Sequence, residues 1–209
     1  MSALTPAADP RPDTVLADVL ATGAASVTGP RAHVRDAALV LGGAALTGVA
    51  AQLSVPVPGS PVPVTGQTFA ALLVGTSLGA RRGFLAMALY TLAGAAGLPW
   101  FADASSGATM PSFGYVLGML LAATVVGALA RRGGDRGPLR TAGTMAAGMA
   151  LTYAVGVPYL AVATGMPASE AVAAGLVPFL VGDVLKAALA MVALPTAWRL
   201  AGRRGGAGD

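Results

Sequence analysis

Cysteine is absent from this 209-residue chain, which excludes disulfides and thiolate metal sites. Histidine occurs once, at His33, too few for the clustered imidazoles of a zinc centre. Charge is scarce: only 11% of residues are charged, against roughly 25% in an ordinary soluble domain. A water-soluble globule of this length cannot cover its surface with so few. Disorder over most of the chain is excluded as well, because 55% of the residues are hydrophobic. Lysine is almost missing; Lys186 is the single one among 13 cationic residues. No Gly-x-x-x-x-Gly-Lys-Ser/Thr phosphate loop occurs, so ATP hydrolysis by that route is excluded. A bilayer is the solvent these absences leave.

What is present is arranged in long apolar runs. Residues 37–80, 83–102, 104–130 and 141–169 carry no charge, and 171–198 contain only Asp183 and Lys186. A membrane-spanning helix needs about 20 mostly apolar residues. The first run is too long for one helix and is divided by Pro56, Pro58, Pro61 and Pro63. The pattern predicts an all-α membrane protein, a bundle of six transmembrane helices near 36–54, 65–80, 83–98, 112–130, 141–163 and 174–200. Residues 1–35 read as a cytoplasmic extension, disordered or weakly helical around 14–21. Residues 36–200 read as the membrane domain and 201–209 as a cytoplasmic tail.

Arginine placement sets the orientation. With both termini in the cytoplasm, Arg11, Arg31, Arg35, Arg81, Arg82, Arg131, Arg132, Arg136, Arg140, Arg199, Arg203 and Arg204 all fall on that side. The opposite loops hold only Asp103 and Glu170, the positive-inside pattern of a protein of the cell membrane. Most of the acids are expected to be solvated in tails or loops. No arginines interleave with aromatics, so nucleic acid is not an expected partner; lipid is.

Asp183 and Lys186 are the two charges inside a span. Each costs roughly 2.5–3.5 kcal/mol at the centre of an inserted helix, so both should face the bundle interior. Their i, i+3 spacing puts them on one helix face. Two readings follow: a self-neutralising internal ion pair, or a polar site for a small ligand with N–H donors and a carboxylate. The second informative stretch is the proline loop 55–64, where fixed φ angles favour a stiff, extended course suited to capping a cavity. Thr65 and Gln67 follow it at the start of the second span, as cavity residues or, for Thr65, as a helix cap.

Several motifs in order resemble the BioY family of biotin transporters. They are Pro61-Val-Pro-Val-Thr-Gly-Gln67-Thr-Phe, Leu78-Gly-Ala-Arg-Arg-Gly83 and Leu89-Tyr90-Thr-Leu-Ala-Gly94. Further on come Gly97-Leu-Pro99-Trp-Phe101-Ala, Pro111-Ser-Phe-Gly114-Tyr115-Val-Leu-Gly118 and Pro178-Phe-Leu-Val-Gly182-Asp183-Val-Leu-Lys186. The resemblance covers about residues 36–200 and implies the substrate-binding (S) component of an energy-coupling factor (ECF) transporter. Biotin would lie under the loop joining the first two helices. The matching site positions are Asp183 and Lys186, with Gln67 and Thr65. Asp183 would accept from a ureido N–H, and Lys186 would meet the valerate carboxylate. Phe101 and Tyr115 would supply apolar walls, with Trp100, Phe113 and Phe179 as further aromatics. Some members carry an arginine just after the proline equivalent to Pro111; here that residue is Ser112, which leaves the carboxylate to Lys186.

The resemblance also implies a transmembrane coupling subunit and ATPase subunits as partners, and no cofactor or metal. Docking to the coupling subunit would use small residues of the first helix, the pairs Ala38/Gly42 and Ala44/Gly48. Internal helix packing explains such pairs equally well. Other readings stay open from the residues: a solitary biotin carrier, or an S component for a related small carboxylate vitamin. From a different class come a membrane enzyme with Lys186 as base and Ser77, Ser105, Ser106 or Ser112 as partner, and a channel or structural subunit.

Overall fold

Long uncharged runs in lipid have no water to satisfy their backbone, so they close their hydrogen bonds within helices. The computed structural model describes residues 14–21 and 29–205. The rest of the stretch read as an extension, residues 1–13 and 22–28, and the last four residues of the tail lie outside the described residues. The helices are α1 (Leu16–Ala21), α2 (Pro30–Ala51), α3 (Gln67–Ala95), α4 (Phe113–Arg131), α5 (Pro138–Thr164), α6 (Ala168–Gly175) and α7 (Leu180–Gly205). Among the described residues, five helical stretches are long and apolar enough to cross a membrane. The molecule is an all-α bundle of five to six long apolar helices, the number depending on whether α3 is counted once or twice.

That ambiguity has a local cause. Gly79 sits at φ 82° and ψ 171° inside α3, a conformation that breaks the helix and that side chains disfavour. The chain folds back there: a Cβ on Gly83 would stand 3.0 Å from the Cα of Gly75. Residues eight apart in a straight helix are about 12 Å apart. The two spans expected at 65–80 and 83–98 are therefore the two arms of one kinked element. The sixth expected span, 174–200, is not one helix. Leu176 leaves helical geometry (φ −128°, ψ −54°), a 3₁₀ turn spans Val177–Phe179, and α7 begins only at Leu180. Pro178 within that turn has no N–H to continue a helix. Helix α2 begins at Pro30 rather than near residue 36, with proline in the first turn, where its missing N–H costs nothing.

The proline loop is closed by a small antiparallel ladder, β1 (Ser54–Val55) with β2 (Val64–Thr65), Ser54 opposite Thr65. Between the strands the chain turns rather than running extended: Ser60 N–H donates to Val57 O at 3.0 Å, and Gly59 has φ 80°.

Apolar surface gains nothing by leaving lipid for a neighbouring helix, so close van der Waals fit holds the bundle together. Glycines on α4 provide it on both sides. A Cβ on Gly127 would lie 2.5 Å from Ala80 N, and one on Gly118 would lie 2.6 Å from Thr152 O. Helix α4 thus seats directly on the backbones of α3 and α5. At the arginine-rich end, α1 buries Val15 and Leu16, the latter against Trp198 and Ala201. Arg82 ties the region together, 2.6 Å from Asp18 and 2.9 Å from Asp36. Asp135 is an exception to the solvation expected of most acids: it is fully buried and accepts a hydrogen bond from Trp198 Nε1 at 2.8 Å.

Candidate functional site

Below the proline loop lies a cavity of about 40 Å³, bordered by Val62 and Pro63 of the loop. Five of the six residues expected to bind the substrate line it: Thr65, Gln67, Phe101, Tyr115 and Lys186. They come from β2 and the starts of α3 and α4, the loop after α3, and α7, so only the fold brings them together. Asp183 does not line this cavity. It is 5% exposed and forms part of the floor of an apolar groove between α5, α6 and α7.

Asp183 is held by two donors. Lys186 Nζ stands 3.3 Å from Oδ1, and the Tyr153 hydroxyl donates to Oδ2. Both donors line the cavity that Asp183 itself does not reach. The pair is largely withdrawn from solvent, with side chains 13% and 7% exposed. Sequence reasoning missed Tyr153. Its only signal was an amphipathic ring near the middle of a charge-free span, away from the interfaces where tyrosine usually sits.

The aromatic wall is built by specific local devices. Phe101 is 1% exposed because its ring occupies the space where Gly94 lacks a side chain. It meets Tyr90 edge-on at 5.2 Å. Its loop is pinned by Gln52, whose Nε2 donates to the carbonyls of Gly48, Trp100 and Phe101 while Oε1 accepts from Ala104 N–H. Gln52 was also missed; a glutamine near the end of an apolar helix carries no motif. Tyr115 spends its hydroxyl on Gly175 O at 2.7 Å and turns its ring toward Tyr153 and Phe179, 6.3 and 6.4 Å away. Phe179 lines the cavity; Phe113 packs on Phe101 behind it, and Trp100 donates its indole N–H to Tyr90 O.

The polar groups at the loop differ in how well they are satisfied. Thr65 Oγ1 accepts from the Gln67 backbone N–H at 3.3 Å, so it helps start α3 as well as bordering the cavity. Gln67 is 5% exposed, and its Nε2 is buried without a partner. A buried donor left unpaired costs about 1–3 kcal/mol, so this one is poised for an acceptor. Ser112 also borders the cavity.

The small-residue pairs of α2 separate. Ala44 and Gly48 are buried, Gly48 so close to Trp100 that a Cβ there would sit 3.1 Å from its ring, so this pair packs inside the bundle. Ala38 and Gly42 are exposed and border a groove between α2, α3 and α7. Ser77 lies in Gly75-Thr-Ser77-Leu-Gly79, which has the spacing of a hydrolase nucleophile elbow. It stands inside the first arm of α3, not at the strand-to-helix turn that such an elbow requires.

The sequence model of the BioY family matches residues 21–203. The chain belongs to the BioY family. Over 161 residues it is 35% identical to a protein of Pyrococcus horikoshii named a probable biotin transporter, covering 76% of this chain and 93% of that one. A biotin transporter of Thermotoga maritima is 38% identical over 149 residues, 70% of this chain and 85% of the relative. Among solved structures, the S-component for biotin from an ECF-type ABC transporter superposes with a TM-score of 0.73 at 20% identity. That match covers 83% of this chain and 95% of the other and establishes a shared fold. BioY membership and the long apolar helices make this a multi-pass protein of the cell membrane.

Proposed function

We propose that this BioY protein is an S component that takes biotin from outside the cell and passes it inward with ECF coupling and ATPase subunits. The observation that carries the reading is the convergence of Thr65, Gln67, Phe101, Tyr115 and Lys186 on one cavity, in a chain whose relatives are named as biotin transporters. Biotin has an apolar ring and chain between a ureido group and a carboxylate. The cavity offers apolar walls at Phe101, Val116, Met119 and Phe179 and polar side chains at Thr65, Gln67, Tyr153 and Lys186, which suits such a ligand. Six spans with both termini in the cytoplasm accord with the arginine distribution, and they place the proline loop on the outside.

A cavity of about 40 Å³ is water-sized, so biotin binding opens it. The movable part is the loop 56–63, anchored at its base by a two-rung ladder. Lifting Val62 and Pro63 exposes the aromatic wall, and closing over the ligand excludes water. Coupling to ATP hydrolysis comes from partners, since the chain has no phosphate loop. The exposed Ala38/Gly42 face of α2 is where a coupling helix can approach closely.

Calorimetric titration of the purified protein with biotin tests the proposal. Saturable binding is the expected result, and absence of heat at concentrations where the protein is monodisperse would refute it.

A further inference from the structure

Helix α1 lies beside the face of α2 that a coupling helix can approach. It is six residues long, and apart from Ala21 it precedes the residues that match the BioY family model. A helix this short does not hold itself together in water, so its contacts with the bundle make it helical. Those contacts are with α3 and α7. Val15, just before α1, is fully buried at the elbow of α3, where a Cβ on Gly79 would lie 3.2 Å from its Cγ1. Leu16 packs on Trp198 and Ala201 of α7, and Ala17 packs on the cluster of Val74, Leu78 and Ala86. Asp18 meets Arg82 at 2.6 Å.

The groove bordered by Ala38 and Gly42 runs between α2, α3 and α7, with Ala193 and Ala197 on its far wall. At its arginine-rich end it adjoins a second space, one wall of which is α1 at Leu16, Ala17 and Leu20. Leu39, Ser77 and Leu78 border both spaces. Helix α1 therefore stands over the residues on which a helix laid along the groove would end.

We infer that α1 is an intramolecular competitor for the coupling subunit. Seated, it closes the arginine-rich end of the docking groove, and an apolar helix of the partner displaces it to use the whole length. This rests on the coupling reading above and deepens it. Two features suit α1 to leave. Arg82 serves Asp36 at 2.9 Å as well as Asp18, so it keeps a carboxylate when α1 departs and its charge is not stranded. The surface that α1 uncovers, Leu39, Ser77 and Leu78, is small and apolar, and a second helix packs on it closely.

The chain has no cysteine, so introduced thiols report on the groove. Ser77→Cys stands in the part shared with α1. Gly42→Cys stands in the open part, where nothing lies within 4 Å of its Cβ. The releasing change is Leu16→Ala with Asp18→Ala, which removes one apolar anchor and the ion pair and touches no residue of the biotin cavity. Release should speed labelling of Ser77→Cys by N-ethylmaleimide and leave Gly42→Cys unchanged. Each protein is then titrated in detergent with a purified complex of an ECF coupling subunit and its ATPase subunits. Release should tighten association about fivefold or more, the gain when a groove open about one-fifth of the time becomes fully open. The converse variant, Leu16→Cys with Ala201→Cys joined by a cleavable thiol cross-linker, should associate only after the linker is cut.

Ser77→Cys labelling that ignores the release would overturn the inference, because α1 would not be covering the groove. So would faster labelling with association unchanged, or association that weakens, which would make α1 part of the docking surface. If the releasing variant cannot be purified, the cross-linked protein decides alone: equal association before and after cleavage refutes competition. If neither the parent nor the released protein associates while both bind biotin, the coupling reading falls and this inference with it, and the biotin reading stands.

Discussion

Removing Lys186 alone should destabilise the protein, and removing its partner as well should restore it. Breaking a buried ion pair on one side typically costs about 3–5 kcal/mol, because a charge is left uncompensated. One feature moderates that figure here. Tyr153 still donates to the other carboxylate oxygen, so half of the hydrogen bonding survives. The expected loss for Lys186→Met is about 3 kcal/mol, or a fall of roughly 6–12 °C in Tm for a chain of this size. The combination of Asp183→Asn with Lys186→Met removes both charges and keeps a side chain that can bond Tyr153. Replacing a buried pair by neutral groups is often neutral or stabilising, so the combination should melt within about 3 °C of the parent. Biotin binding should not return, because no ammonium remains. Thermal unfolding in detergent, followed by the fluorescence of Trp100 and Trp198, measures the first effect; calorimetry measures the second. A Lys186→Met protein as stable as the parent would refute the reasoning, as would a combination that stays as unstable as the single change.

Two further perturbations test the supports of the site. Gly94→Ala places a methyl group where the Phe101 ring lies; overpacking of this kind costs about 1–3 kcal/mol. Because Gln52 pins the Phe101 loop, the ring must move into the cavity, and biotin affinity should fall along with Tm. Unchanged titrations would show that the wall is more pliant than its packing indicates. At the other end, burial pushes the Asp135 carboxyl above its ordinary value of 3.8, overcoming the Trp198 hydrogen bond and the nearby Arg136 charge. The folded protein then keeps a proton that the unfolded chain has released. Stability should therefore fall as pH rises from about 3.8 through the raised value. Asp135→Asn should erase that step in melting curves taken from pH 4 to 8, and a parallel pH dependence in both proteins would contradict it.

The sequence reveals most where an error would be most costly in lipid. A charge in a span is expensive, so the uncharged runs located the helices, and of the two exceptions Lys186 lines the cavity while Asp183 stands behind it, paired with Lys186. Where alternatives differ little in energy, the sequence is silent. The division of α3 was legible, because Arg81 and Arg82 part the spans expected at 65–80 and 83–98, but which of the chain's 29 glycines takes the helix-breaking conformation has no local signal. The break before α7 was better signalled, because Pro178 sits in it, yet the hydropathy of 174–200 carried the helix across. Asp135 lies in a loop, where acids are usually solvated, yet Trp198, some sixty residues on, covers it. Tyr153 shows the limit most sharply. A tyrosine near mid-span is cheap enough to need no explanation, and its significance lies in where its single proton goes. That direction is fixed by a carboxylate thirty residues away, on a helix that must first be packed beside it. Charge patterning can name the pair in the membrane, but which of its neighbours becomes an acceptor is decided only by the fold.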